Sequence, residues 1–196
     1  MKPPRLIATG IVTAALALAV VALAGTPARK AASQADRVER GRYLTQLGGC
    51  IDCHTPGTFY GEPDLSRHLS GSEVGWEGPW GVTYPRNLTP DVETGIGKWS
   101  EEDIVRAIRA GMRPDGSVIQ PPMPWPNYGG LSDEDAYAIA AYLKSLLPVK
   151  HQVPAALPPG AKARGAALIL PAPPAWDAPR GAAAAAAHAK PQAATK

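Results

Sequence analysis

Cysteine is scarce in this chain: 196 residues contain two, Cys50 and Cys53, beside three methionines and a single phenylalanine. Two thiols within four residues cannot make the disulfide framework that staples small secreted domains. A bridge between them would stabilise little, because its loop is too short to constrain the unfolded chain. A second Cys-x-x-Cys is missing, and with it the paired spacing of a four-ligand zinc site. No strand–helix–strand pattern surrounds the pair, so the setting of a thioredoxin-like redox motif is lacking too. Acid is absent from residues 1–35, which carry Lys2, Arg5, Arg29 and Lys30. Residues 36–149 hold ten Lys/Arg against sixteen Asp/Glu, a net of −6, whereas residues 150–196 hold six basic side chains against Asp177 alone, a net of +5. The overall +3 conceals an acidic middle. That middle has no basic face for nucleic acid and suits a partner with a basic patch.

What is present begins with a leader. Lys2 and Arg5 give a charged start, Leu6 to Ala24 is uncharged and mostly apolar, and "ALA" at 22–24 suits a signal peptidase. The apolar run exceeds the roughly 7–15 residues of a cleaved signal. As a helix it would reach roughly 28 Å, close to a bilayer core. Residues 1–25 are therefore read as a signal peptide or an N-terminal membrane anchor. Either places the remainder in the periplasm, free or tethered to the inner membrane. Residues 26–35 read as a polar linker, 36–171 as one domain, and 172–196, with six consecutive alanines, as a low-complexity tail expected to be disordered.

Inside the domain three helices are expected. "DRVERGRYLTQLGG", from Asp36, sets Val38, Gly41, Leu44 and, at its end, Leu47 near one face before Gly48-Gly49 stops it. A glycine costs about 1 kcal/mol against alanine inside a helix, so Gly41 suggests a close helix crossing. "WSEEDIVRAIRAG" has Ser100 as its N-cap, Asp103 three residues on and Gly111 as its stop, with Ile104, Ala107 and Ile108 inward. "LSDEDAYAIAAYLKSL" begins at Ser132 with Asp135 and buries Ala136, Ile139, Ala140, Leu143 and, at its end, Leu147. Between Thr55 and Gly97 little periodicity appears. A stretch that long and irregular makes sense when wrapped around a large ligand. Beyond residue 148, "AALILP" is apolar enough to lie against the domain.

The cysteines sit in "GGCIDCHTPG", residues 48–57. Only one Cys-x-x-Cys chemistry calls for a histidine directly behind the second thiol, and that is covalent haem attachment. Cys50 and Cys53 would form two thioethers along one porphyrin edge, and His54, in the same helical turn, would be directed under the iron. For a second axial ligand the candidates are Met112, Met123, His68, His151 and His188. Met112 follows a helix-ending glycine, where a packing methionine is ordinary. Met123, in "IQPPMPWP", is flanked by prolines that stiffen an extended segment and favour it as a thioether donor. A methionine plugging a core gap explains it too. Trp99 reads as an aromatic covering the ligand or core.

The run from "NLTPD" through "TGIG", "WSEEDI", "MPW" and "LSDEDA" to "AYLKSL" resembles class I cytochrome c domains. It is most similar to the cytochrome c subunits of bacterial membrane-bound alcohol, gluconate and other sugar-acid dehydrogenase complexes. The resemblance implies an all-α fold, helices packed around one covalently bound haem c with long irregular loops. It implies Cys50 and Cys53 as attachment points, His54 and Met123 as axial ligands, and Trp99 as a contact to a haem propionate, with Tyr84 and Asn87 as weaker propionate contacts. It implies an electron carrier rather than an enzyme, moving single electrons from a dehydrogenase toward a quinone or terminal oxidase. Its partners would then be a dehydrogenase subunit, an oxidase or another cytochrome. The alternative is a haem enzyme or a sensor of peroxide or a diatomic gas, in which the sixth ligand is labile.

Overall fold

The computed structural model describes residues 33–170. The leader 1–25, most of the linker, the tail from 172 and His188 lie outside them. Helix α1 (Gln34–Leu47) begins two residues inside the span expected as linker. Asp36, expected to open the helix, closes a capping box instead: Ser33 Oγ accepts from Asp36 N at 3.2 Å, and the Asp36 carboxylate accepts from Ser33 N at 3.0 Å. A short α2 (Cys50–His54) follows Gly49, which turns at φ +67. After a long loop come α3 (Glu101–Ala110), α4 (Trp125–Tyr128) and α5 (Asp133–Ser145). Ser100 and Asp103 form a second capping box on α3, Gly111 closes it at φ +65, and the Ser132 hydroxyl accepts from Asp135 N to start α5.

Helices α1 and α5 cross where Gly41 meets the backbone of Ala138, and a methyl at position 41 would overlap the Ala138 carbonyl and Tyr142 Cβ. The close crossing expected at Gly41 is thus present. Thr45 lies buried on the same face and donates to Gly41 O at 2.7 Å. Leu69, Ile96, Ile104, Ile139, Ala140 and Leu143 form the core between α3, α5 and the loop. Two residues expected to be inward are exposed: Leu47, the last residue of α1, at 70%, and Leu147, two residues past the end of α5, at 84%.

Helices carry the core, but the molecule is not purely helical. Strands β1 (Gly75–Gly78), β2 (Gly81–Thr83) and β3 (Ala167–Ile169) make a small sheet in the order β2-β1-β3. The β1–β2 hairpin is antiparallel, with Trp76 opposite Thr83, while β3 runs parallel to β1 with Leu168 opposite Trp76. "AALILP" therefore does lie on the domain, through backbone pairing more than burial: Ile169 stays 68% exposed. No helix among the described residues is long and apolar enough to cross a membrane, and the apolar run Leu6–Ala24 lies outside them.

Candidate functional site

Helix α2 brings both thiols and the imidazole onto one turn. Cys50 and Cys53 are free and half-buried. Burial pushes the Cys50 thiol up to about 11 and raises Cys53 as well, so both stay protonated at neutral pH. His54 is 8% exposed. Burial lowers its pKa, against the opposing pull of its bond to Arg86, and keeps it a neutral imidazole. With Nδ1 carrying the proton, it donates to the backbone carbonyl of Arg86 at 2.7 Å. Nε2 makes no hydrogen bond to any described residue and keeps its lone pair for a ligand. This is the pattern of a metal-ligating histidine, whose second nitrogen is tied down by a carbonyl.

The loops around this turn are held tightly. Gly71 N donates to His54 O at 2.8 Å, and Leu69 N donates to Thr55 Oγ1 at 3.0 Å. Leu88 N reaches Leu69 O at 2.9 Å. Leu69 is fully buried with φ +56, a left-handed conformation that costs about 1–2 kcal/mol outside glycine. The surrounding bonds must hold it there. Next to Arg86, Asn87 is 1% exposed and fully engaged: Nδ2 donates to Val149 O and Thr94 Oγ1, and Oδ1 accepts from Thr89 N and Thr89 Oγ1. Its polar atoms are spent inside the loop, which removes it as a propionate contact.

Met123 is half-buried just before α4, in a loop anchored at both ends. On one side Thr83 Oγ1 donates to Pro121 O at 2.8 Å, tying the loop to the segment that leads to Arg86. On the other, Tyr128 Oη donates to Gly48 O at 2.7 Å, two residues before Cys50. Trp125 Nε1 closes the loop onto Ile119 O, and its ring packs on Gly111. Met112 is also half-buried, but it pairs with Val118 in a β-bridge of the preceding turn. The rival histidines have other work. His68 Nε2 meets Tyr142 Oη at 3.1 Å, while His151 uses Nδ1 on Ser70 O and Nε2 on Glu73, each at 2.9 Å.

The donor set fits a covalently held haem: two free thiols, a buried imidazole with one nitrogen unused, and indole N–H groups without acceptors. The Trp99 indole N–H has no hydrogen bond to the described residues, although Trp99 packs on the core, its backbone N–H donates to Ile96 O and its carbonyl is fixed by Lys144 Nζ at 3.0 Å. The indole N–H groups of Trp76 and Trp80, on the β1–β2 hairpin, are buried and unpaired. An indole N–H without a protein acceptor, as at Trp99, suits a porphyrin carboxylate. No three His, Cys, Asp or Glu side chains cluster as a metal site among the described residues, so the zinc reading gains nothing. Sequence reasoning missed the Arg86 carbonyl, the Thr83–Pro121 and Tyr128–Gly48 ties and the sheet. The first is a backbone group, and no residue type announces it.

Comparison with known proteins agrees with this chemistry. Residues 38–147 match the family model described as Cytochrome c. The alcohol dehydrogenase (quinone) cytochrome c subunit of Gluconobacter oxydans is 40% identical over 105 residues, 54% of this chain and 20% of that protein. The gluconate 2-dehydrogenase cytochrome c subunit of Pantoea cypripedii is 38% identical over 105 residues, 54% of this chain and 22% of its own length. A diheme cytochrome c-type protein of Cereibacter sphaeroides is 33% identical over 109 residues, 56% of this chain and 36% of that one. The matches therefore take in between a fifth and about a third of these relatives.

Proposed function

The chain belongs to the cytochrome c family, and from that premise we propose that it is a monohaem electron carrier of the class I type. Cys50 and Cys53 would hold one haem c, and His54 and Met123 would be its axial ligands. The observation that carries this reading is His54: buried, fixed through Nδ1 on Arg86 O, and free at Nε2 on the turn that bears both thiols. When bound, haem supplies a one-electron couple. The chain's own residues do the rest. The Arg86 carbonyl fixes the tautomer and orientation of the imidazole. The anchored loop around Met123 would offer a soft, neutral thioether, a ligand type that raises the potential. Trp99 would donate to a propionate through its indole N–H. With both axial positions filled, no open site would remain for a substrate.

The similarity to dehydrogenase subunits supports a place beside a dehydrogenase, passing single electrons toward a quinone or terminal oxidase. The charged, apolar leader supports a periplasmic location, soluble or anchored at residues 1–25. Spectroscopy tests the core of the proposal. Denatured protein should keep its haem chromophore, and the ferric protein should show the weak near-infrared band of sulfur-to-iron charge transfer. Met123→Ala should abolish that band and lower the potential, whereas Met112→Ala should do neither. A wild type without the band that binds carbon monoxide rapidly would favour the enzyme or gas-sensor alternative.

A further inference from the structure

Similarity to the family model stops at residue 147, but the described residues from 148 to 170 run on against the loops that hold His54. Asn87 Nδ2 donates to Val149 O at 2.8 Å, and Val149 N donates to Thr89 Oγ1 at 3.1 Å. Arg86 Nη1 donates to Pro154 O at 3.0 Å. Leu157 and Val82 exchange backbone bonds of 2.8 and 3.0 Å. Val153 is 3% exposed and so close to Gly71 that a Cβ there would overlap its Cγ1.

Two of these contacts fall on residues that touch the imidazole-bearing turn from the other side. Arg86 supplies the carbonyl that accepts from His54 Nδ1, and Gly71 supplies the amide that donates to His54 O. One is clasped through its side chain and the other through packing. A carbonyl bonded to the far nitrogen of a ligating imidazole raises its basicity toward the metal. It does so only while the carbonyl itself is held in place.

We propose that residues 149–157 form a positioning strap for His54, holding the Arg86 carbonyl and the Gly71 amide against it and so setting the haem potential from beyond the matched domain. The inference rests on His54 being an iron ligand. Loosening the strap lets the Nδ1–H···O bond lengthen and makes the imidazole a weaker donor. The ferrous state is then favoured and the potential rises.

The test uses full-length holoprotein and two matched pairs of variants. Val153→Ala removes packing against Gly71, and Val105→Ala removes the same methyls from half-buried α3 as its control. Arg86→Gln keeps a shorter amide donor on the side of Pro154 O, whereas Arg86→Met keeps none, and both lose the same charge. The potential should be higher in Val153→Ala than in Val105→Ala, and higher in Arg86→Met than in Arg86→Gln. The expected size is a roughly fivefold change in the reduction equilibrium, the equivalent of one ordinary hydrogen bond. Solvent exchange of the His54 Nδ1 proton should quicken by about tenfold in Val153→Ala and Arg86→Met, as a local opening requires. A wild-type spectrum without an axial imidazole would sink the ligand assignment and this inference with it. A normal wild-type spectrum, with equal or lowered potentials in the loosened variants, would overturn the strap's role alone.

Discussion

At the residue scale, the tightest polar knot in the described chain is Asn87, one position after the carbonyl that receives the His54 proton. Removing its side chain would strip four hydrogen bonds from the loop and leave the buried Thr89 amide without a partner. Each bond is worth about 1 kcal/mol and a stranded partner more, so Asn87→Ala should cost roughly 3 kcal/mol. In a chain of this size the holoprotein melting temperature should fall by roughly 10 °C, which calorimetry would register. A fall of only a degree or two would show the loop held by other contacts. Asn87 also marks how far single residues could be read from sequence. Cys50, Cys53 and His54 were legible as one group, and they do share one turn, because a histidine directly behind a Cys-x-x-Cys calls for one chemistry. The inward role of Asn87 and the carbonyl of Arg86 were not, since an amide side chain bonds equally well to a loop or a ligand and a carbonyl carries no residue identity.

At the scale of elements, helix starts were legible where a hydroxyl and a carboxylate stand three apart, as in Ser100 with Asp103 on α3. The same rule applied to Ser33 and Asp36 would have started α1 earlier. Gly41 was legible as a crossing point because a helix keeps such a glycine only for a reason. Gly41→Ala would push a methyl into the Ala138 carbonyl; overpacking of that kind costs about 1–3 kcal/mol. Thermal unfolding should show that loss, and a gain in stability, as ordinary helix propensity would give, would refute the crossing. The sheet escaped because its strands are three or four residues long and β3 lies far along the chain from its partner β1. Its C-terminal strand is clasped by Glu77, 7% exposed, which bonds Lys162 Nζ at 2.6 Å and Ala163 N at 3.1 Å. The Lys162 bond first, then the Ala163 amide, holds its carboxyl below the ordinary 4.5. A depressed carboxylate stabilises the fold fully above its unfolded value and less as pH falls through its folded one. Protection of the residue 162–170 amides, taken relative to their intrinsic exchange rate at each pH, should therefore fall below pH 4.5 in the wild type. In Glu77→Gln that protection should be low already at pH 6 and change little on acidification.

Across the whole molecule, charge is sorted along the chain. Residues 36–149 carry a net of −6, and the segment that backs the proximal loops adds Lys150, Lys162 and Arg164 with no acid before residue 170. Several acids are already paired within the fold, Asp135 with Arg40 and Glu101 with Arg37 among them. Surface pairs of this sort add little stability, so the field they leave matters more for association than for folding. A cationic redox partner should be drawn in over roughly 30 Å at 0.01 M salt but only about 8 Å at 0.15 M. Electron transfer with such a partner should slow severalfold over that range, because steering acts mainly on the encounter rate. A neutral small-molecule reductant should show no such slope, which separates steering from any effect of salt on the haem itself. Stopped-flow traces at matched concentrations decide the matter. Equal salt dependence for both reagents, or none for either, would mean that the acidic middle of the chain does not guide its partner.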